Sequence, residues 1–176
     1  MQPVFRKIEA RIISIHVQGN LAVLKSKSEI EDRTEIDFHL HPTTPLFSSY
    51  GDRIGVTAIP VKSKISAYID SLTPLPMVHP IQIKPLVVII EQEGTRSQFG
   101  VGIFDEQLYS EHLKLKLNIH DETKIVDLKG NSLEAASLKN SFLYVFYDAT
   151  TRSIPAQTTP NKIIVVKDED LPVFDS

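Results

Sequence analysis

One pattern occurs twice in this chain, and it decides more about the fold than any single motif. The segment Thr34-Glu35-Ile36-Asp37-Phe38-His39-Leu40-His41 places apolar residues at every second position, and Leu113-Lys114-Leu115-Lys116-Leu117-Asn118-Ile119-His120 does the same. Successive side chains of an extended strand point to opposite faces, so each segment reads as a strand with one buried and one wet face. Laid on each other, the two put Leu40 on Ile119, His41 on His120, Thr44 on Thr123 and Leu46 on Ile125, 79 residues apart. The same spacing carries Gly51 to Gly130, Ile54 to Leu133 and Ile59 to Leu138. It shortens by one residue at Asp70 with Asp148 and Thr73 with Thr151, then returns at Pro76 with Pro155. Identities are sparse, but apolar, turn and proline positions recur in the same order. That predicts an internal duplication.

The rest of the chain is also strand-like. Ile8 to Val17, then a Gln18-Gly19-Asn20 turn, then Leu21 to Lys25 reads as a hairpin. Further strands are predicted at Ser66 to Ile69, Leu86 to Glu91, Gly100 to Phe104, Phe142 to Tyr147 and Lys162 to Lys167, all rich in residues that suit a pleated surface. One short helix is predicted over Asn131 to Leu138, capped by Ser132 or Asn131. Eleven prolines at segment edges fit a protein of many turns. Extending the repeat backwards lays Ile8 to Ile15 on Val87 to Gly94, so a single long strand over 85–93 is expected to close the first unit and open the second. No Gly/Ser linker separates the halves. The expected division is 5–85 and 86–168, with 169–176 as a tail.

Composition narrows the classes of function. The 176 residues are 41% hydrophobic and 23% charged, as in an ordinary folded domain. A net charge of −3 speaks against a broad basic field for nucleic acid and against a polybasic membrane anchor. Without cysteine there is no disulfide, no thiolate zinc site and no thiol nucleophile. No apolar run reaches the roughly 18–20 residues of a membrane-spanning helix, so membrane insertion is not expected. The start, Met1 to Lys7, has no charged segment followed by an apolar one. The expected location is cytoplasmic if Met1 is the native start, and secreted or in the cell envelope if a signal was removed.

Glu122-Thr123-Lys124-Ile125-Val126-Asp127-Leu128-Lys129-Gly130 and Thr151-Arg152-Ser153-Ile154-Pro155-Ala156-Gln157 carry a resemblance. With the following Ile163-Ile164-Val165-Val166, they resemble a small β-domain of exported and cell-envelope proteins from Gram-positive, spore-forming bacteria. That domain has a T-x-S-I-P-P-Q loop between strands. The resemblance spans roughly 95–167. Of its pattern the first half keeps only Thr44, Gly51, Asp70, Thr73 and Pro76. It implies a small barrel similar to the OB type, with no established activity.

Two constellations are candidates for chemistry. His39 and His41 lie two apart on a wet strand face with Asp37, the spacing at which imidazole and carboxylate groups can hold zinc or nickel. A solvated strand face explains the same residues without a metal. The second candidate is the loop carrying Arg152, Ser153, Gln157 and Thr158, stiffened by Pro155 and Pro160. A stiff hydroxyl-rich loop loses little entropy when it binds a partner. Equally, its hydroxyls can cap local backbone groups.

Weaker signals are Lys62, Lys64, Lys114 and Lys116 beside Tyr68, Phe142 and Tyr144, residue types with which OB-type barrels hold single strands. Asp127, Asp148 and Arg152 are close only in sequence. Gly100-Val101-Gly102 lacks the following helix of a dinucleotide site and reads as a close contact or bulge.

The reading is therefore all-β: two tandem, closely packed OB-like barrels. They form a binding or scaffolding module without enzymatic activity or cofactor. A protein or cell-envelope component is the expected partner, and pairing of exposed strand edges makes a homodimer an expectation too. The alternatives are a single-stranded nucleic-acid binder and a metal protein or enzyme using His39 and His41.

Overall fold

The computed structural model describes residues 5–29, 34–75, 78–92, 94, 96–167 and 169. The chain is all-β, as the period-two pattern demands. Seven strands come from the first half: β1 (Phe5–Gln18), β2 (Leu21–Ser28), β3 (Glu35–Leu40), β4 (Leu46–Ser48), β5 (Lys64–Asp70), β6 (Ile81–Ile83) and β7 (Val87–Ile90). Seven come from the second: β8 (Gln98–Phe104), β9 (Tyr109–Ser110), β10 (Leu115–Leu117), β11 (Lys124–Asp127), β12 (Ser141–Tyr147), β13 (Ala156–Thr158) and β14 (Lys162–Val166). The described residues of 5–48 and 52–92 form one compact unit; 49–51 and 94–169 form another.

In the first unit the sheet order is β4-β7-β5-β1-β2-β3-β6. Its antiparallel middle is framed by two parallel pairs, β4 with β7 and β3 with β6. The buried face carries Ala10, Ile12, Leu24, Ile36, Phe38, Ile65, Ala67, Val88 and Ile90. Ile36, Phe38 and Leu40 are buried at the predicted alternate positions, and removing their area from water drives this sheet's folding.

In the second unit β11-β14-β12-β8 and β13-β10-β9 form two sheets. β11 runs parallel to β14, and β10 parallel to β13. Phe104, Leu115, Leu117, Leu138, Leu143, Val145, Ile163 and Val165 make its core. On the other face of β12, Tyr144 and Phe146 are buried, with Phe99 5.6 Å and 4.9 Å from their rings. Among the described residues no sheet closes on itself through hydrogen bonds.

The turn bonds of each unit answer to the 79-residue spacing. Thr44 N–H donates to His41 O at 2.9 Å, and Thr123 N–H to His120 O at 2.9 Å. Ser48 N–H donates to Asp52 O and Asp127 N–H to Asn131 O. Ile54 N–H donates to Leu46 O and Leu133 N–H to Ile125 O. Isolated bridges join Phe47 to Arg53 and Val126 to Ser132. Gly51 and Gly130 hold φ of +88° and +89°, a region that costs residues with a Cβ.

Several expectations are corrected. The long strand over 85–93 does not form; β7 is four residues, pairs with β4 and β5, and completes the first unit's sheet. The second unit opens instead on β8, whose pairing with β12 answers to that of β1 with β5. Pro76, expected to match Pro155, lies outside the described residues. Pro80 stands directly before β6, as Pro155 stands before β13. The predicted helix shrinks to a single 3-10 turn, Ala135–Leu138, with Glu134 at its N-cap and no side-chain cap. Ser132 is instead drawn into the bridge to Val126. Of the tail, all but Glu169 lies outside the described residues.

Candidate functional site

The first-half candidate does not assemble. His39 and Asp37 sit on β3 beside β6, where Gln82 is the register partner of Asp37. Gln82 Nε2 donates to Asp37 Oδ2 at 3.2 Å and to Pro80 O at 2.9 Å, while Gln82 Oε1 accepts from His39 Nε2. That contact engages His39 Nε2 with Gln82 rather than with Asp37 or His41. His41 faces its own turn: its Nδ1 accepts from Thr43 N–H at 3.1 Å and lies 2.8 Å from Thr43 Oγ1. Among the described residues no three His, Asp or Glu side chains are gathered for a metal ion. Gln82 was invisible to sequence reasoning because β6 is three residues long, too short to show a period.

The second candidate loop is real, but its hydroxyls are spent inside it. Thr151 N–H donates to Gln157 O at 2.8 Å, and Gln157 N–H to Thr151 Oγ1 at 3.0 Å. Ser153 Oγ lies 2.6 Å from Thr151 Oγ1 and donates to Pro155 O at 2.8 Å. Thr158 is buried and donates to Ala149 O at 2.6 Å. Gln157 Oε1 accepts from Asn118 Nδ2 at 3.0 Å. Of the four predicted residues Arg152, exposed on the surface, makes no side-chain hydrogen bond among the described residues.

These bonds stiffen the loop and push its apex outward. At the apex Ile154 is 100% exposed. Such exposure of a large aliphatic side chain has no benefit for folding. Ile154 and Pro155 form one wall of a cleft of about 410 Å³, whose other walls are Gln107, Tyr109, Lys114 and Lys116. Lys116 pairs in register with Tyr109 on β9 and with Gln157 on β13, so three strands converge there. Lys114, at φ +51°, ends the alternation just before β10. No carboxylate lines this cleft. A cleft of equal volume in the first unit has Arg11, Lys27 and Lys62, but it also holds Glu29. There Arg11 Nε is 2.8 Å from Glu29 Oε1 and Arg11 Nη1 donates to Lys62 O, so part of the charge is already neutralised.

The weaker signals resolve in the same way. Tyr68 and Tyr144 are buried, so neither offers a ring to a ligand. Lys64 lies 3.5 Å from Glu91. Gly100 and Gly102 are a close contact: Leu113 Cδ1 would stand 3.3 Å and 3.5 Å from a Cβ at the two positions. Asp127 is committed to its own turn, accepting from Lys129 N–H and from Asn131. Tyr109, the one aromatic ring at the cleft, went unnoticed in the sequence because its strand is two residues long. The usable signal was an isoleucine inside an otherwise polar loop. No protein-family model, no curated protein and no solved structure matches this chain.

Proposed function

We propose that the protein is a non-enzymatic binding module of two duplicated OB-like barrels, and that its second barrel receives an anionic chain in the Tyr109–Lys116–Ile154 cleft. Support for the duplication comes from the matched pairings: β1·β5 with β8·β12, β4·β7 with β11·β14, and β3·β6 with β10·β13. Support for barrels comes from the last stretch of each half. β6 and β7 are one run of chain interrupted around the buried Pro85; β6 is one edge of the first sheet and β7 lies next to β4, the other edge. β13 and β14 are likewise separated around the buried Pro160. A strand whose two ends reach both edges of a sheet bends it toward closure, and a proline interrupts the ladder because it has no N–H to donate.

The observation that carries the binding role is the cleft itself: two ammonium groups, a tyrosine and a fully exposed isoleucine, with no acid among them. Two lysines without a counter-ion attract phosphate or carboxylate, and the apolar wall accepts the uncharged part of a repeating unit. The net charge of −3 limits this attraction to the cleft. The likeness of the Thr151–Gln157 loop to exported Gram-positive domains favours an envelope polyanion over nucleic acid as its source.

Fluorescence anisotropy with labelled poly(glycerol phosphate) and labelled oligo-dT tests this. The expected result is low-salt binding of poly(glycerol phosphate) that weakens with added salt and is lost in Lys114→Glu/Lys116→Glu. Tighter binding of oligo-dT would transfer the reading to nucleic acid. No binding of either polymer at low salt, or equal binding by the double variant, would overturn it.

A further inference from the structure

The hairpin of β1 and β2 reaches beyond the sheet that it belongs to. β1 pairs with β5 only as far as Arg11 with Lys64, and the last contact on that side is Ile12, whose N–H donates to Ser63 O and whose carbonyl accepts from Lys62 N–H. From Ser14 to Gln18 the strand has β2 on one side alone, and Ile13 is the extra residue where the register shifts between Ile12 and Ser14. The hairpin closes at Gln18 with Leu21 across Gly19-Asn20, with Gly19 at φ +62°. The closing pair of a two-residue hairpin is hydrogen-bonded, and such pairs alternate along an antiparallel ladder. His16 with Val23 and Ser14 with Lys25 are then also bonded pairs. The N–H and C=O groups of Ile15 and Val17 are left pointing away from β2, and among the described residues nothing receives them.

This edge is unguarded in its side chains as well. Natural sheets protect free edges with charge, proline or shortness. Here the charged residues of β1, Arg6, Lys7, Glu9 and Arg11, all lie in the stretch that pairs with β5, outside the free stretch. The free stretch, Ile13-Ser14-Ile15-His16-Val17-Gln18, contains no proline and no Lys, Arg, Asp or Glu. Ile13 is 47% exposed and Val17 55%.

We infer that this edge is an interface between two copies of the chain, paired antiparallel about a two-fold axis through Ile15. The free stretch is complementary to itself in that register. Ile15 meets Ile15 of the second copy, Ile13 meets Val17, and Ser14 meets His16. Every apolar residue opposes an apolar one, and the outward N–H and C=O groups of Ile15 meet those of Ile15 in the second copy. Shifting the axis to His16 would set two imidazoles against each other and leave Ile13 opposite the turn, so the Ile15 register is preferred.

The chain has no cysteine, so one introduced thiol reports on one position. A hydrogen-bonded antiparallel pair holds its Cα atoms about 5.5 Å apart, within disulfide reach. Full-length Ile15→Cys is expected to form a covalent dimer under mild oxidation, well ahead of Gln18→Cys. The unmodified chain is expected to show a concentration-dependent dimer in sedimentation velocity, and Val17→Lys to shift it to monomer with its thermal midpoint kept. Preferential crosslinking of His16→Cys, equal crosslinking at Gln18→Cys, or a wild-type chain that stays monomeric at every accessible concentration would each overturn the proposal. The last of these results would leave the edge to a strand from a different protein.

Discussion

Asn131 holds Asp127 with both its amides: its backbone N–H donates to Oδ1 at 2.9 Å and its side-chain Nδ2 to Oδ2 at 3.1 Å. Lys129 N–H adds a third bond to Oδ1 at 2.9 Å. Together they shape the turn after β11 and set up the bridge from Val126 to Ser132. In the first half Ser48 occupies the matching place, and its Oγ accepts from Asp52 N–H at 3.2 Å.

This turn makes stability depend on pH. Burial is the largest single influence on the Asp127 carboxyl and raises its pKa, but the Asn131 and Lys129 hydrogen bonds and the Lys167 ammonium together outweigh it and bring the pKa below the ordinary 3.8. A group whose pKa is lowered by folding stabilises the fold above its unfolded value and loses that contribution as pH falls through its folded value. Asp127→Ala is expected to cost about 1–3 kcal/mol near neutrality, because charged acceptors make the stronger hydrogen bonds. The difference from wild type should shrink as pH falls below 3.8. Urea unfolding at a series of pH values checks it, and a difference independent of pH would contradict it.

Leu113 lies over two glycines of β8. A Cβ at position 100 would stand 3.3 Å from Leu113 Cδ1 and 3.6 Å from the Tyr147 ring. Gly100→Ala gains strand propensity but crowds Leu113. In a Leu113→Ala background the crowding atom is gone. The same substitution should therefore be more favourable there by about 1 kcal/mol, measured as the coupling energy of a double-mutant cycle. Simple additivity would show that Leu113 gives way freely.

Within the Thr151–Thr158 loop, stability and binding should separate. Thr158→Val removes the buried donor to Ala149 O and is expected to cost about 1–2 kcal/mol, read by chemical denaturation. Ile154→Ala changes a side chain that is entirely outside the core, so the thermal midpoint should stay and poly(glycerol phosphate) binding should weaken several-fold. A fall in midpoint for Ile154→Ala with unchanged binding would place this residue in the fold rather than in the cleft.

Strands with a long period-two pattern were legible in the chain, because burial of one face leaves its mark on every second residue. β3 carries that mark in full, while β1 and β2 were legible through the turn between them, and β5, β8, β12 and β14 as runs rich in Val, Ile, Phe and Tyr. The five shortest strands, β4, β6, β9, β10 and β13, have two or three residues each. Too few side chains alternate there to distinguish strand from loop, and β10 was visible only because its flanks, Leu113 and Ile119, are apolar too.

The alternation, the spacing of the turns and the absence of cysteine thus determined the all-β class, the buried face of each long strand and the 79-residue echo between the halves. Partnership was beyond their reach. That Gln82 occupies His39 and Asp37, that Thr151, Ser153 and Thr158 exhaust their hydroxyls within one loop, and that Ile154 stands beside Lys114, Lys116 and Tyr109 are all outcomes of pairing between distant segments. A hydrogen bond or a cleft depends on which strand lies next to which. Tertiary packing decides that, through contacts between residues tens of positions apart.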